Sequence, residues 1–133
     1  MAPLNLNFII VDDSKLDCFI AEKIIRNSGR AGDIISFTNA TAALDHISTA
    51  AVPPADDKTT VLLDIQMPVM NGFDFVDAFE KLPAEVTGGY NVYMLSSSIN
   101  ENDLNRVKTY HSIKQFLNKP LTSSALAEIL EGR

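Results

Sequence analysis

The chain has 133 residues, 46% of them apolar, with 11 basic and 17 acidic side chains and a formal net charge of −6. That length suits one globular domain, expected over residues 1–133, with a core that needs no disulfide or structural metal; the composition argues against disorder. The acidic balance, with no run of Lys or Arg, argues against direct contact with nucleic acid, whose phosphates would be repelled.

Cys18 is the only cysteine, so neither an intrachain disulfide nor a zinc cluster can be built on it, and a small buried thiol is expected. No basic segment followed by an apolar run opens the sequence, and the apolar stretches fall short of the ~20 residues of a membrane span. The expectation is a cytoplasmic protein without membrane insertion.

Leu6 to Val11 is a β-branched apolar run that ends abruptly on Asp12-Asp13, as a buried parallel strand would. A helix is expected from Ser14 to about Asn27, with Ser14 and Asp17 spaced as a capping box and Ile20, Ile24 and Ile25 at helical spacing. Gly29 or Gly32 supplies its stop. Ile34 to Phe37 reads as a second strand, and Thr41 to Thr49 as a second helix. Pro53, Pro54 and Asp56-Asp57-Lys58 mark a loop. Thr60 to Leu63 is a third strand, again ending on a carboxylate, Asp64. Pro68, Asn71 and Gly72 break the chain before a third helix from Phe73 to about Leu82, and Pro83 to Gly89 reads as a loop. Asn91 to Leu95 is a fourth strand ending on Ser96-Ser97-Ser98, and Asn100 to about Tyr110 a fourth helix. Ser112 to Leu117 is a fifth strand running into Asn118-Lys119-Pro120, and a fifth helix reaches Leu130. Five strands alternating with five helices imply a doubly wound parallel sheet covered on both faces.

In such a sheet all strands point one way, and ligands gather beyond their carboxyl ends. Asp12-Asp13, Asp64, Ser96 and Lys119 follow four of those ends. Taken singly, a strand-end Asp is an ordinary cap or turn former and a lone Lys an ordinary surface residue. Their joint placement is hard to obtain from capping alone. Three converging carboxylates repel and call for a cation, and hard oxygen ligands favour magnesium, with manganese as an alternative. A metal on Asp13 and Asp64 leaves one Asp64 oxygen free as a nucleophile. The oxygens of an incoming phosphoryl group would then meet the metal, the Lys119 ammonium and the Ser96 hydroxyl. The product would be an aspartyl phosphate.

Ile9-Ile10-Val11-Asp12-Asp13, Val61-Leu62-Leu63-Asp64-Ile65-Gln66-Met67-Pro68 with Asn71-Gly72, Tyr93-Met94-Leu95-Ser96 and Phe116-Leu117-Asn118-Lys119-Pro120 resemble the receiver domain of response regulators. The resemblance, closest to single-receiver regulators of the chemotaxis type, runs from about Leu6 to Leu130. Asp-x-x-Met-Pro-x-x-Asn-Gly is its most specific part. It implies a flavodoxin-like strand order 2-1-3-4-5 and a bacterial two-component or phosphorelay protein. Asp64 would be the phosphorylation site, and Asp12, Asp13 and the Gln66 backbone carbonyl would complete the metal seat. Lys119 would contact phosphate, Ser96 would be the switch hydroxyl, and Phe116 the switch aromatic, for which plain core packing is the bland alternative. Ser97 stands where Ala is more usual in the family. Gln66 and Ser98 stand where it varies; they and Ser97 are expected to tune phosphate lifetime.

The resemblance also implies a histidine kinase or histidine phosphotransfer protein as donor and a downstream protein as output. Leu16, Phe19 and Lys23 lie off the apolar face of the first helix. They would either dock the donor or pack on the last helix. Leu104, Tyr110 and Phe116 are candidates for the output surface. Since the sequence given ends one helix after Lys119, either a stand-alone regulator or part of a longer protein is expected. Three rival readings are a phosphohydrolase, a flavin-binding protein and a degenerate receiver acting as a scaffold. The first would want a second acid where Gln66 stands. The second would want a phosphate loop where Asp12-Asp13 stand, and the third is disfavoured by the complete acid and lysine set. A signalling domain, not a turnover enzyme, is the expectation.

Overall fold

A computed structural model of the chain describes residues 6–50, 58–97 and 100–131. Its strands are β1 (Leu6–Val11), β2 (Ala31–Phe37), β3 (Thr59–Asp64), β4 (Tyr90–Ser96) and β5 (Ile113–Asn118). Its helices are α1 (Lys15–Asn27), α2 (Ala40–Thr49), α3 (Gly72–Phe79), α4 (Ala84–Thr87), α5 (Glu101–Val107) and α6 (Ser123–Glu131). The strands pair in parallel in the order β2-β1-β3-β4-β5, the order implied by the resemblance.

Strand period explains the two cores. Alternate residues of a strand face opposite sides of the sheet. Ile9, Val11, Val61, Leu63, Val92 and Met94 therefore share one layer with Ala43 and Ile47 of α2 and Phe73, Val76 and Phe79 of α3. Phe8, Ile10, Leu62, Tyr93 and Leu95 face the other layer, against Cys18, Ala21 and Ile25 of α1 and Leu126 and Ile129 of α6. All of β3 and β4 is buried, which is why both read as nearly unbroken apolar runs. The edge strands β2 and β5 are mostly half-buried or exposed.

Several expectations need correction. The segment 83–89 is not all loop: Ala84–Thr87 makes one helical turn, giving six helices among the described residues where five are expected. Pro83 starts it without needing an N–H, its carbonyl accepts from Val86 N at 2.8 Å, and Ala84 O accepts from Gly88 N at 2.9 Å. A single turn is too short to show periodicity. The stop of α1 is Gly29, at φ +76°, because Gly32 already lies within β2. Helix α2 starts one residue earlier than expected, capped by the Asn39 side chain on Ala42 N at 2.8 Å. Helices α3 and α5 end short of Leu82 and Tyr110, where the chain passes into turns. The capping box at α1 is half made: Ser14 Oγ accepts from Asp17 N at 3.2 Å, but the Asp17 carboxylate points elsewhere. Of the loop expected around Pro53 and Pro54, residues 51–57 lie outside the described residues, as do Ser98 and residues 132–133.

Candidate functional site

The parallel sheet brings four strand ends to one edge. Asp12 follows β1, and its N–H continues the ladder to Phe37 O at 3.0 Å. Asp64 closes β3 and Ser96 closes β4, both buried. Lys119 follows β5, and its N–H donates to Ser96 O at 2.9 Å, which ties the β5 end to β4. Asp13 is exposed at the rim.

Around these positions the charges interlock. Lys119 Nζ lies 2.6 Å from Asp12 Oδ2, 2.9 Å from Asp17 Oδ2 and 3.3 Å from Asp64 Oδ1. Asp12 Oδ1 accepts from Ser14 N at 2.9 Å, and Gln66 N makes a long 3.4 Å contact to Asp64 Oδ1. Burial and the neighbouring Asp12 charge push the Asp64 carboxyl up to about 6, against the opposing pull of Lys119. Burial also raises Asp12, again opposed by Lys119 and by the Ser14 N–H. For Lys119 burial acts to lower the pKa, but the hydrogen bonds to Asp12 and Asp17 outweigh it and the net shift is upward. One ammonium does not satisfy the cluster.

Asp12, Asp13 and Asp64 each place a carboxylate oxygen within 4.8 Å of the others. Three hard oxygen donors with one member facing solvent suit a divalent cation such as magnesium that keeps part of its water shell. Burial and then the Asp12 charge keep the Asp64 carboxyl raised even with the Lys119 ammonium beside it.

The remaining expected residues fall in two groups. Ser96 is buried beside the cluster, whereas Ser97 and Gln66 are exposed at its mouth. Phe116 is half-buried and packs on the core layer of Val92 and Met94. Leu16 and Phe19 are 66% and 61% exposed, so they do not pack on α6. Lys23 Nζ sits 5.8 Å from the Phe19 ring centroid. Leu104 is exposed on α5. Tyr110 is partly buried and its hydroxyl donates to Asp77 Oδ1 at 2.8 Å. Cys18 is buried, and burial with the Asp12 charge pushes its thiol up to about 11, which leaves it unreactive.

Two features of the site carry no local sequence signal. Asp17 joins the charged cluster, a role its spacing to Ser14 concealed. The loop between β3 and α3 is tightly held: a Cβ on Gly72 would lie 2.7 Å from Asp64 O and 2.9 Å from Ile65 Cα. Only glycine permits that approach, and Gly72 N donates to Ile65 O at 2.8 Å. In the same loop Val69, fully exposed, takes φ +70°, a conformation β-branched residues avoid.

A family model described as the response regulator receiver domain matches residues 8–131. Among solved structures, a response regulator receiver protein from Dyadobacter fermentans is 37% identical, with 96% of each chain covered and a TM-score of 0.84. A two-component response regulator from Cytophaga hutchinsonii is 26% identical over 96% of each chain, with a TM-score of 0.83. A chemotaxis protein of Vibrio cholerae is 20% identical, covers 96% of this chain and 98% of its own, and superposes with a TM-score of 0.75, a likeness of fold.

Proposed function

The chain belongs to the response regulator receiver domain family, and from that premise we propose that Asp64 accepts a phosphoryl group from a phosphohistidine on a histidine kinase or phosphotransfer protein. An Asp64 oxygen attacks phosphorus, the P–O bond forms and the P–N bond breaks. The electron pair stays on the imidazole nitrogen, which leaves neutral when the ring's other nitrogen carries a proton. Asp12, Asp13, Asp64 and the Gln66 backbone carbonyl would hold Mg2+ or Mn2+, which when bound offsets charge on the carboxylates and the phosphoryl oxygens. Lys119 pairs with a second phosphoryl oxygen, and the Ser96 hydroxyl donates to a third.

Attraction of Ser96 toward the phosphoryl group opens room beside β4, and Phe116 turns into it. That shifts an existing equilibrium between inactive and active forms. The face carrying Leu104, Tyr110 and Phe116 then presents the output to a partner protein. Leu16, Phe19 and Lys23 would meet the donor, and an exposed apolar pair beside a cation suits an amphipathic helix. Gln66, Ser97 and Ser98 tune the attack of water that returns Asp64 to its free form. Such a protein is a switch, not a turnover enzyme.

The observation that supports this most strongly is the placement of Lys119 Nζ 3.3 Å from Asp64 Oδ1 beside the Asp12–Asp13 pair. Incubation with acetyl phosphate and Mg2+, followed by intact mass, should show one added phosphoryl group in the wild type and none in Asp64→Asn. A wild type that stays unlabelled, and that fails to bind beryllofluoride, would sink the reading.

A further inference from the structure

Asp17 stands third in α1, where an acid ordinarily reaches back to the N-cap N–H. Helix α3 shows that arrangement complete: Asn71 Oδ1 accepts from Asp74 N at 2.9 Å, and Asp74 Oδ2 accepts from Asn71 N at 3.1 Å. At α1 the corresponding N–H, that of Ser14, is taken at 2.9 Å by Asp12 Oδ1. Asp17 is thereby released from capping, and its carboxylate reaches Lys119 Nζ at 2.9 Å, across 102 positions of sequence.

We propose that Asp17 is a positioning residue that restrains the Lys119 ammonium on the α1 side and so attenuates the site's affinity for phosphoryl oxygens. The inference rests on the phospho-acceptor reading of Asp64. Asp12 and Asp64 also touch Lys119, but both belong to the carboxylate trio that suits a cation. Of the three carboxylates that lie against Lys119 Nζ among the described residues, Asp17 is the one outside that trio, so its hold on the ammonium persists when the others are engaged. An ammonium has three protons to donate. With one directed at Asp17, fewer face the phosphoryl group, and the nearby negative charge offsets the lysine's attraction for an incoming dianion. Asp17 has 37% of its side chain exposed against 13% for Lys119, so solvent screens the effect and keeps it moderate.

The test titrates beryllofluoride at saturating Mg2+ by NMR, and acetyl phosphate by intact mass, against wild type, Asp17→Asn and Asp17→Glu. Asp17→Asn should tighten beryllofluoride roughly three- to tenfold and lower half-saturating acetyl phosphate by a similar factor. Asp17→Glu, which restores the charge, should return toward wild type, and the Asn effect should vanish in a Lys119→Met background. Asp17→Ser repeats the test should the amide disturb the first turn of α1. The inference is overturned if the wild type labels normally while Asp17→Asn binds no tighter, or if the gain is equal without Lys119. A wild type that neither labels nor binds overturns the phospho-acceptor reading itself, and this inference with it.

Discussion

Asp64 is held at a pKa of about 6 by burial and by Asp12, above the 3.8 of a free aspartate. The folded protein therefore binds more protons than the unfolded chain between those values. Without metal, stability should fall as pH rises from about 4 to 6.5, by on the order of 2 kcal/mol from this group. Asp12, shifted the same way, adds to the slope. Urea unfolding of wild type against Asp64→Asn should show the difference between them widening across that range. Mg2+ should stabilise the wild type more at pH 7 than at pH 5. Equal stabilisation at both would contradict a cation seated on these carboxylates. A second residue tests packing apart from function. Thr60 is fully buried in β3, and its hydroxyl has no hydrogen-bond partner among the described residues. Replacing a desolvated hydroxyl by a methyl of equal shape removes a penalty. Thr60→Val should gain about 1 kcal/mol in the same unfolding measurement, and a loss of that size would show the hydroxyl to be satisfied.

Among the elements, strands were the most legible because burial on both faces leaves a distinctive run. Val61-Leu62-Leu63 reads as a strand whatever surrounds it, and β3 ends at Asp64, one residue past the expected end. The charged site was legible for a related reason: its members follow strand ends, and topology alone brings strand ends together. Asp17 was not, because a residue in a first helical turn satisfies a local rule, and only the capture of the Ser14 N–H by Asp12 sets it free. Helix α4 was missed because one turn carries no period. The tie between α3 and the segment from α5 to Tyr110 is another contact invisible to local patterns. Tyr110 donates to Asp77, its ring stacks on Phe73 at 5.9 Å, and the Arg106 guanidinium lies 4.4 Å from that same ring. Asp77→Ala and Tyr110→Phe, alone and together, should give a coupling energy of about 0.5 kcal/mol in urea unfolding, small because the pair is largely solvated. Additive effects would mean that the hydroxyl and carboxylate do not meet in solution.

For the whole molecule, function follows from direction. All five strands run in one direction, so the ends of β1, β3, β4 and β5 meet at one edge and bring their groups to a shared site. The opposite faces are filled by two apolar layers that fix those ends in place. Part of the chain's acidic surplus, −6 overall, lies at that edge, where Lys119 meets Asp12, Asp17 and Asp64, with Asp13 beside them. Among the described residues no helix is long and apolar enough to cross a membrane. In the function proposed above, the phosphoryl group sits on Asp64 as an acyl phosphate. Borohydride reduces an aspartyl phosphate to homoserine, which marks the acceptor permanently. The wild type, treated with acetyl phosphate and Mg2+, reduced and digested, should show homoserine at position 64 by peptide mass. Homoserine at another aspartate, or at none while the protein retains a phosphoryl label, would contradict the assignment of Asp64.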